Sequence, residues 1–312
     1  MVLLAALLAL TATGCASAPE PTLDARNALG TVVSVTAYPA EGVEDAEALG
    51  PAIDSAYERM LGVEQALNVH DPDSAIARYN AEGGSAPQEA KVILAGIERL
   101  GVGEYFSPHL LDVVALYDFE GARNVPTSDE LATALASRRY DFGGAAKGLA
   151  LDQAAEELSA SPDIQAALVT AGSTTITLGG KPDGSPWRIG IEDPRDPEST
   201  FASIETRGNL TVSTSGDYQR YFERDGVRYH HILDPATGLP ASGLRSLTVV
   251  GEISALDSDI LSTALFVMGP EAAEDYARSH GLGLVMVTSD DQVIVIEGPT
   301  GAEWTITESR QR

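Results

Sequence analysis

The sequence predicts an α+β fold of interleaved helices and mixed or antiparallel sheets, and three observations predict it. Stretches rich in β-branched residues are interspersed with stretches whose apolar residues fall at helical spacing. The two kinds do not alternate in the regular way that builds a doubly wound parallel sheet. The 312 residues, 44% of them hydrophobic, suffice for one substantial core, with no repeat or low-complexity linker to divide them.

In chain order, the apolar run Val2 to Leu10 is too short to span a bilayer and is followed by Ala12, Thr13, Gly14 and Cys15. This is the pattern of a lipoprotein signal peptide over residues 1–14, with cleavage before Cys15 and lipid attachment to it; an ordinary signal peptide or a buried strand is the alternative. Cys15 is the only cysteine, so the folded part has no disulfide and no cysteine-based metal site. Residues 15–25 are small, polar and proline-containing and read as a tether, with the folded body beginning at Arg26. Thr31 to Tyr38 (TVVSVTAY) reads as a strand, and Asp45 to Leu67 as a helix with Ile53, Tyr57, Met60, Leu61 and Leu67 at apolar spacing. Helices are expected over Ala90–Leu100, Ser128–Ala136 and Ala145–Ala160. Strands are expected at Ala166–Thr170, Thr174–Leu178, Trp187–Glu192, Leu210–Ser213 and Leu247–Gly251. Helices over Asp259–Met268 and Glu271–His280 and a set of closing strands complete the chain.

Four segments carry residue types suited to chemistry. Asp141-Phe-Gly-Gly-Ala-Ala-Lys-Gly148 opens a helix with glycines and a lysine, a place where backbone N–H groups and the helix dipole can receive a diphosphate; a plain strand-to-helix turn is the alternative. Asp259 and Thr263 stand four residues apart, on one face of a helix, and together suit magnesium, which takes oxygen ligands; alternatively Asp259 is an N-cap. Tyr229-His-His-Ile-Leu-Asp-Pro-Ala-Thr-Gly238 offers histidines able to accept a hydroxyl proton, with Asp234 as an orienting partner. Thr214-Ser-Gly-Asp-Tyr218 offers hydroxyls for a phosphate or a ring edge. The charge balance, 46 acidic against 20 basic residues and a net charge of −26, repels phosphate backbones and argues against nucleic acid as a partner.

In this order and with these gaps, the segments DFGGAAKGLALDQAA, GGKPDGSPWRIGIEDP, VSTSGDY, YHHILDPATGLPA and SDILSTALFVMG resemble the ApbE family of FAD:protein FMN transferases, over roughly Ala28 to Gly269. The resemblance implies a single compact ApbE-like domain over residues 26–312. It implies FAD as substrate in a cleft, with Mg2+ held by Asp259, Thr263 and a backbone carbonyl from the DFGG turn, that of Gly144. Asp141, Lys147 and Ile232 would lie along the FAD. Leu29 stands where a methionine is usual near the adenine, His70 where an aromatic ring normally faces the flavin, and Tyr105-Phe106-Ser107 where a Phe-Asp turn is usual. His231 would accept the proton of a threonine hydroxyl on an acceptor protein, a subunit of a membrane redox complex, as FMN is transferred and AMP leaves. The implied location is the periplasmic or extracytoplasmic face of a bacterial membrane, held by the lipid anchor. The same resemblance also allows an FAD pyrophosphatase, with water as acceptor, while the altered residues of the first half suggest a non-catalytic flavin-binding lipoprotein as a further alternative.

Overall fold

The computed structural model describes residues 19–43 and 45–308; the leader and Cys15 lie outside the described residues. Strand β1 (Thr22–Ala28) turns through Leu29 and Gly30, whose φ angles are 56° and 68°, into β2 (Thr31–Pro39). Two consecutive positive φ angles give a tight hairpin whose twist matches its strands. The fold therefore starts at Thr22 rather than Arg26: TLDARNA is mostly exposed and does not alternate, so composition alone makes it a tether, while pairing with β2 makes it a strand.

Helix α1 (Gly50–Leu67) follows a short 3-10 turn, five residues later than its apolar spacing suggested, and buries Ile53, Tyr57, Met60 and Leu67. Leu61 falls on the other face and is 46% exposed. Next come α2 (Ala75–Glu82), α3 (Gln88–Leu100), α4 (Leu111–Tyr117) and α5 (Ser128–Leu135), the last opened by a Thr127/Glu130 capping box. Then follow α6 (Ala146–Ala160), β3 (Ile164–Ala171), β4 (Thr174–Leu178), β5 (Trp187–Asp193), β6 (Asp196–Thr206) and β7 (Leu210–Gly216). A small hairpin of β8 (Tyr221–Arg224) and β9 (Val227–His230) leads to β10 (Leu244–Gly251), α7 (Ala255–Met268), α8 (Pro270–His280), β11 (Gly283–Thr288), β12 (Val293–Ile296) and β13 (Trp304–Glu308). Among the described residues no helix is long and apolar enough to cross a membrane.

The main sheet has eight strands in the order β1-β2-β3-β4-β7-β10-β11-β12, antiparallel at every pairing. One face carries the helical layer, in which Ile53, Met60, Leu151, Leu158 and Phe266 pack against Val33, Val169 and Leu247. The other face is covered by the three-stranded sheet β13-β6-β5, through Ile191, Phe201, Ile204 and Trp304 against Val212, Val250 and Val285. Covered on both sides, β7 alternates apolar and hydroxyl residues: Leu210 and Val212 join the sheet-to-sheet core, and Ser213 and Ser215 face the helices. A third, smaller cluster joins α4, α5 and the β8–β9 hairpin through Val113, Tyr117, Phe119, Leu131, Phe222 and Leu233.

Helices α6 and α7 cross where Gly148 meets Ala255. A Cβ on Gly148 would stand 2.3 Å from the Ala255 carbonyl oxygen and 2.7 Å from the Leu256 Cα. At this crossing each helix caps the other. The Asp152 carboxylate of α6 accepts from the first two N–H groups of α7, Ala255 at 2.7 Å and Leu256 at 3.0 Å, and the Asp259 carboxylate of α7 accepts from the Gly148 N–H at 2.9 Å. Helix α7 begins four residues before the expected Asp259, with Ser254 as its own N-cap accepting from Asp257 N–H. Asp259 thus lies in the second turn of α7 and is not that helix's cap.

Gly148→Ala should lower the unfolding free energy by about 2–3 kcal/mol in chemical denaturation, the upper part of the range for forced overpacking. Gly62→Ala, on the open face of α1 with nothing within 4 Å of the added Cβ, should be neutral or stabilising by up to ~1 kcal/mol. Similar effects from both would show that the crossing is not tight.

A second prediction concerns His230, which is 5% exposed, donates from Nε2 to the Ala241 carbonyl at 3.0 Å and meets Phe266 edge-on. Burial pulls it from the ordinary value of 6.5 down to about 4. Between those values the unfolded chain binds more protons than the folded one. Stability is therefore complete above about 6.5 and falls as pH drops through about 4, by about 3 kcal/mol in all. Denaturation of the wild type across this window should show at least that slope, His231 adding its own, and His230→Leu should reduce it; an unchanged slope would assign the acid sensitivity elsewhere.

Candidate active site

Asp259 is the centre of a buried cluster of oxygen atoms. Its Oδ2 accepts the Gly148 N–H, and its Oδ1 accepts the hydroxyls of Thr174 on β4 (3.2 Å) and Ser213 on β7 (3.4 Å). Ser213 also bonds Thr174 at 3.0 Å and Ser262 at 3.3 Å. Ser215, two residues along β7 and on the same face, bonds Ser262 at 3.0 Å and Thr263 at 3.2 Å. Asp259 and Thr263 are one turn apart on α7, as their spacing required, with Asp259 buried and Thr263 partly accessible.

The DFGG turn sets a cation beside this cluster. Lys147 is the second residue of α6, and its Nζ stands 4.0 Å from Asp259 Oδ2 with a quarter of its side chain accessible. No side chain at Ala145 caps α6; the Ala146 N–H donates to the Phe142 carbonyl at 2.9 Å and the Gly148 N–H to Asp259, so in the first turn the Lys147 N–H stays available to an anion among the described residues. Asp141 fixes the turn: its carboxylate accepts the Gly143 N–H at 2.8 Å, and its own N–H donates to the Pro108 carbonyl at 2.7 Å. Gly144 is exposed just before α6, with the Phe106 ring against one side, 3.3 Å from where a Cβ would be.

The β8–β9 hairpin and the loop after it bring in His231. Its N–H donates to the Arg220 carbonyl at 3.1 Å and its Nδ1 to the same oxygen at 3.3 Å, the tautomer a carbonyl partner requires, which leaves Nε2 with a free lone pair. The ring is partly accessible. Desolvation by burial, helped by the charges of Arg220 and Lys147, holds it far below the ordinary histidine range, at about 3. His231 is thus neutral at physiological pH, and a bound anion beside it would raise its basicity. His230 points the opposite way, into the core. Asp234 does not orient either histidine: it accepts the Ala236 N–H at 2.8 Å and closes its own Pro/Gly turn, because an aspartate at a turn start finds backbone donors two residues ahead.

The remaining expected contacts are distributed around this centre. Ile232 is buried in the main core, and its carbonyl accepts the Ala241 N–H. Phe106 is buried, while Ser107 accepts the His109 N–H and Tyr105 is 36% exposed. Leu29 is partly buried at its hairpin turn and donates its N–H to Glu64 at 2.9 Å. His70 is exposed beyond the end of α1, its N–H donating to the Asn68 side chain, and it takes no part in the Asp259 cluster among the described residues. Sequence reasoning missed Thr174, Ser262 and the capping Asp152, which burial pushes up to about 6 against the pull of its two N–H donors. The alternating hydroxyls Thr211, Ser213 and Ser215 were a legible sign of a polar face on β7.

The donor set fits magnesium better than a softer ion. Every donor at Asp259 and Thr263 is an oxygen, and among the described residues no group of three or more His, Cys, Asp or Glu could hold a metal unaided. A carboxylate and a hydroxyl one helical turn apart leave positions for further oxygen ligands, waters and substrate phosphates, as this ion usually takes.

The ApbE family model matches residues 29–286. The chain is 30% identical to the FAD:protein FMN transferase of Vibrio cholerae over 319 residues, covering 93% of this chain and 94% of that protein. It is 31% identical to that of Treponema pallidum over 309 residues, covering 85% and 84%. Among solved structures, the ApbE protein of Thermotoga maritima superposes with a TM-score of 0.76 at 29% identity, covering 88% of this chain and 97% of that one. The flavin transferase ApbE of Vibrio cholerae gives 0.75 at 28% identity, covering 89% and 96%. With the sequence match spanning both the helix crossing and the hydroxyl-lined strand, this chain belongs to the ApbE family.

Proposed function

We propose that this chain is a magnesium-dependent FAD:protein FMN transferase that moves FMN from FAD to a threonine hydroxyl of an acceptor protein. The observation that carries the reading is the oxygen cluster around Asp259 set against the start of α6 with Lys147 beside it, a combination suited to a metal-bridged diphosphate. When bound, magnesium held by Asp259, Thr263 and the Gly144 carbonyl would offset charge on the diphosphate oxygens. The Lys147 side chain and the Lys147 N–H at the start of α6 would orient the phosphates, the positioning and electrostatic work that phosphoryl transfer needs. The acceptor oxygen forms a bond to the FMN phosphorus, the bond from that phosphorus to the bridging oxygen breaks, and AMP leaves with that oxygen. The hydroxyl proton passes to Nε2 of His231, whose neutral state and single committed nitrogen support the role. A membrane redox subunit as acceptor, and attachment through a lipid on Cys15 outside the cytoplasm, are parts of the same proposal; the leader supports the second.

Incubating the chain with FAD, magnesium and a candidate acceptor should add the mass of FMN to one acceptor threonine; FMN released free, with no adduct on any acceptor, would favour hydrolysis. Asp259→Asn keeps oxygen for the Gly148 N–H but lowers the charge, and should abolish magnesium-dependent turnover while unfolding near the wild-type midpoint. Asp259→Ala is the less clean variant, since it also strands a buried N–H at a cost of about 1–3 kcal/mol. His231→Ala should slow transfer ~10²- to 10⁴-fold with little change in FAD affinity. A loss confined to FAD affinity would make His231 a flavin-positioning group.

The mature chain isolated from its host should begin at Cys15, carry lipid there and partition with membranes. A mature chain that retains residues 1–14 would overturn the anchor.

A further inference from the structure

Asp152 lies outside the cluster around Asp259, yet two of the bonds that hold the helix carrying that cluster end on it. Gly148 and Asp152 stand one turn apart on α6, and Ala255 and Asp259 one turn apart on α7. The two pairs face each other across the helix crossing and exchange hydrogen bonds in both directions. The Ala255 N–H donates to Oδ1 of Asp152 at 2.7 Å and the Leu256 N–H to its Oδ2 at 3.0 Å, so each carboxylate oxygen has its own donor. In return the Gly148 N–H donates to Oδ2 of Asp259 at 2.9 Å. In the first turn of α7 the remaining N–H, that of Asp257, is held by the Ser254 hydroxyl at 3.0 Å.

The bonds on the two oxygens of Asp259 are unequal. Oδ2 takes the short one from α6, while Oδ1 takes longer ones, 3.2 Å from Thr174 and 3.4 Å from Ser213. The contact with α6 is therefore the firmest constraint on where this carboxylate stands, and it lasts only while α7 keeps its place against α6. Asp152 secures that place. Burial pushes its carboxyl up to about 6; the two N–H donors pull it down, and the like charges of Asp257 on α7 and Glu156 on α6 add to the rise, Asp257 being itself paired with Arg99 on α3. At neutral pH Asp152 is ionised, the form that accepts from both donors.

Building on the transferase reading, we propose that Asp152 is a positioning residue for the metal ligand Asp259: by holding the start of α7 against α6 it fixes the Asp259 carboxylate one turn later, ready for magnesium, without touching metal or substrate. A ligand that is already in place costs nothing to order when the ion arrives. With the start of α7 released, that ordering has to be supplied by the binding of the ion, so the loss falls on magnesium affinity and not on the rate of the loaded enzyme.

The test uses Asp152→Asn in the full chain. The amide keeps one acceptor oxygen, turns an NH2 group toward the other α7 donor and leaves Asp259 unaltered; the Asp257–Arg99 pair still ties α7 to α3. The first measurement is amide hydrogen exchange in the metal-free chain, read at Gly148, whose N–H is bound to Asp259 and not to Asp152. It should be faster by about tenfold or more, the usual size of an outer-partner effect. Thr127→Ala, which removes the cap of α5 in the separate small cluster, sets the acceleration that lost global stability produces by itself, and Asp152→Asn should exceed it. The second measurement is the magnesium concentration for half-maximal FAD turnover. It should rise about tenfold or more, with the rate at saturating magnesium within about twofold of the unaltered chain. Gly148 exchange no faster than in Thr127→Ala overturns the proposal, and so does an unchanged magnesium requirement or a loss confined to the saturated rate. If Asp152→Asn does not fold, Asp152→Ser, which keeps an oxygen acceptor without an opposing NH2, carries the same comparison. Magnesium-dependent FAD turnover by the unaltered chain tests the transferase reading by itself, so its failure is distinguishable from a failure of Asp152 to act on Asp259.

Discussion

The reciprocal capping of α6 and α7 is the constraint on which the rest of the molecule depends. A helix start buried in a core leaves donors that cost about 1–3 kcal/mol each if unmade. Here each helix meets that need with a carboxylate of the other, Asp152 for α7 and Asp259 for α6. The bonds are short only because Gly148 allows backbone contact at the crossing. Moving either helix would break bonds at both ends, so the distance between Lys147 and Asp259 is held by the same contacts that hold the core.

This arrangement gives Asp259 two tasks, one structural and one chemical. A carboxylate with N–H and hydroxyl donors on both oxygens is fixed in rotation, and its negative charge is stabilised in a buried place where an unbonded one would be costly. The hydroxyls of Thr174, Ser213, Ser215 and Ser262 supply that support without adding charge. A single net charge on a rigid mount, facing a lysine at a helix start, suits an ion whose remaining ligands come from a substrate.

The candidate site draws on two of the three apolar clusters. Asp259, Thr263 and Lys147 ride on helices of the main core, while His231 follows a hairpin anchored in the small cluster of Tyr117, Phe119, Phe222 and Leu233. Tyr117 ties that cluster onward by donating to the Gly238 carbonyl of the Pro/Gly turn at 2.9 Å. The same hairpin presents Tyr221 and Arg228 to a cavity also lined by Arg195 and Arg245.

By itself the sequence determined the α+β class, most long helices and inner strands, and the pairing of Asp259 with Thr263, because periodicity and i,i+4 spacing are local properties. It also marked the DFGG turn and His231 through a family resemblance carried by contiguous motifs. Tertiary structure alone decided the elements without a local signal: β1, exposed along most of its length; α4, only seven residues long; and the β8–β9 hairpin. It also decided where α7 starts, since Ala255 is held by Asp152, 103 residues away in the chain. The role of Asp234 went to its own turn for the opposite reason, a nearby donor outcompeting a distant histidine. Which hydroxyls meet Asp259, and that three arginines from the β5–β6 turn, β9 and β10 share one cavity, follow from how the strands are paired, and register is a relation between strands that no single stretch of sequence contains.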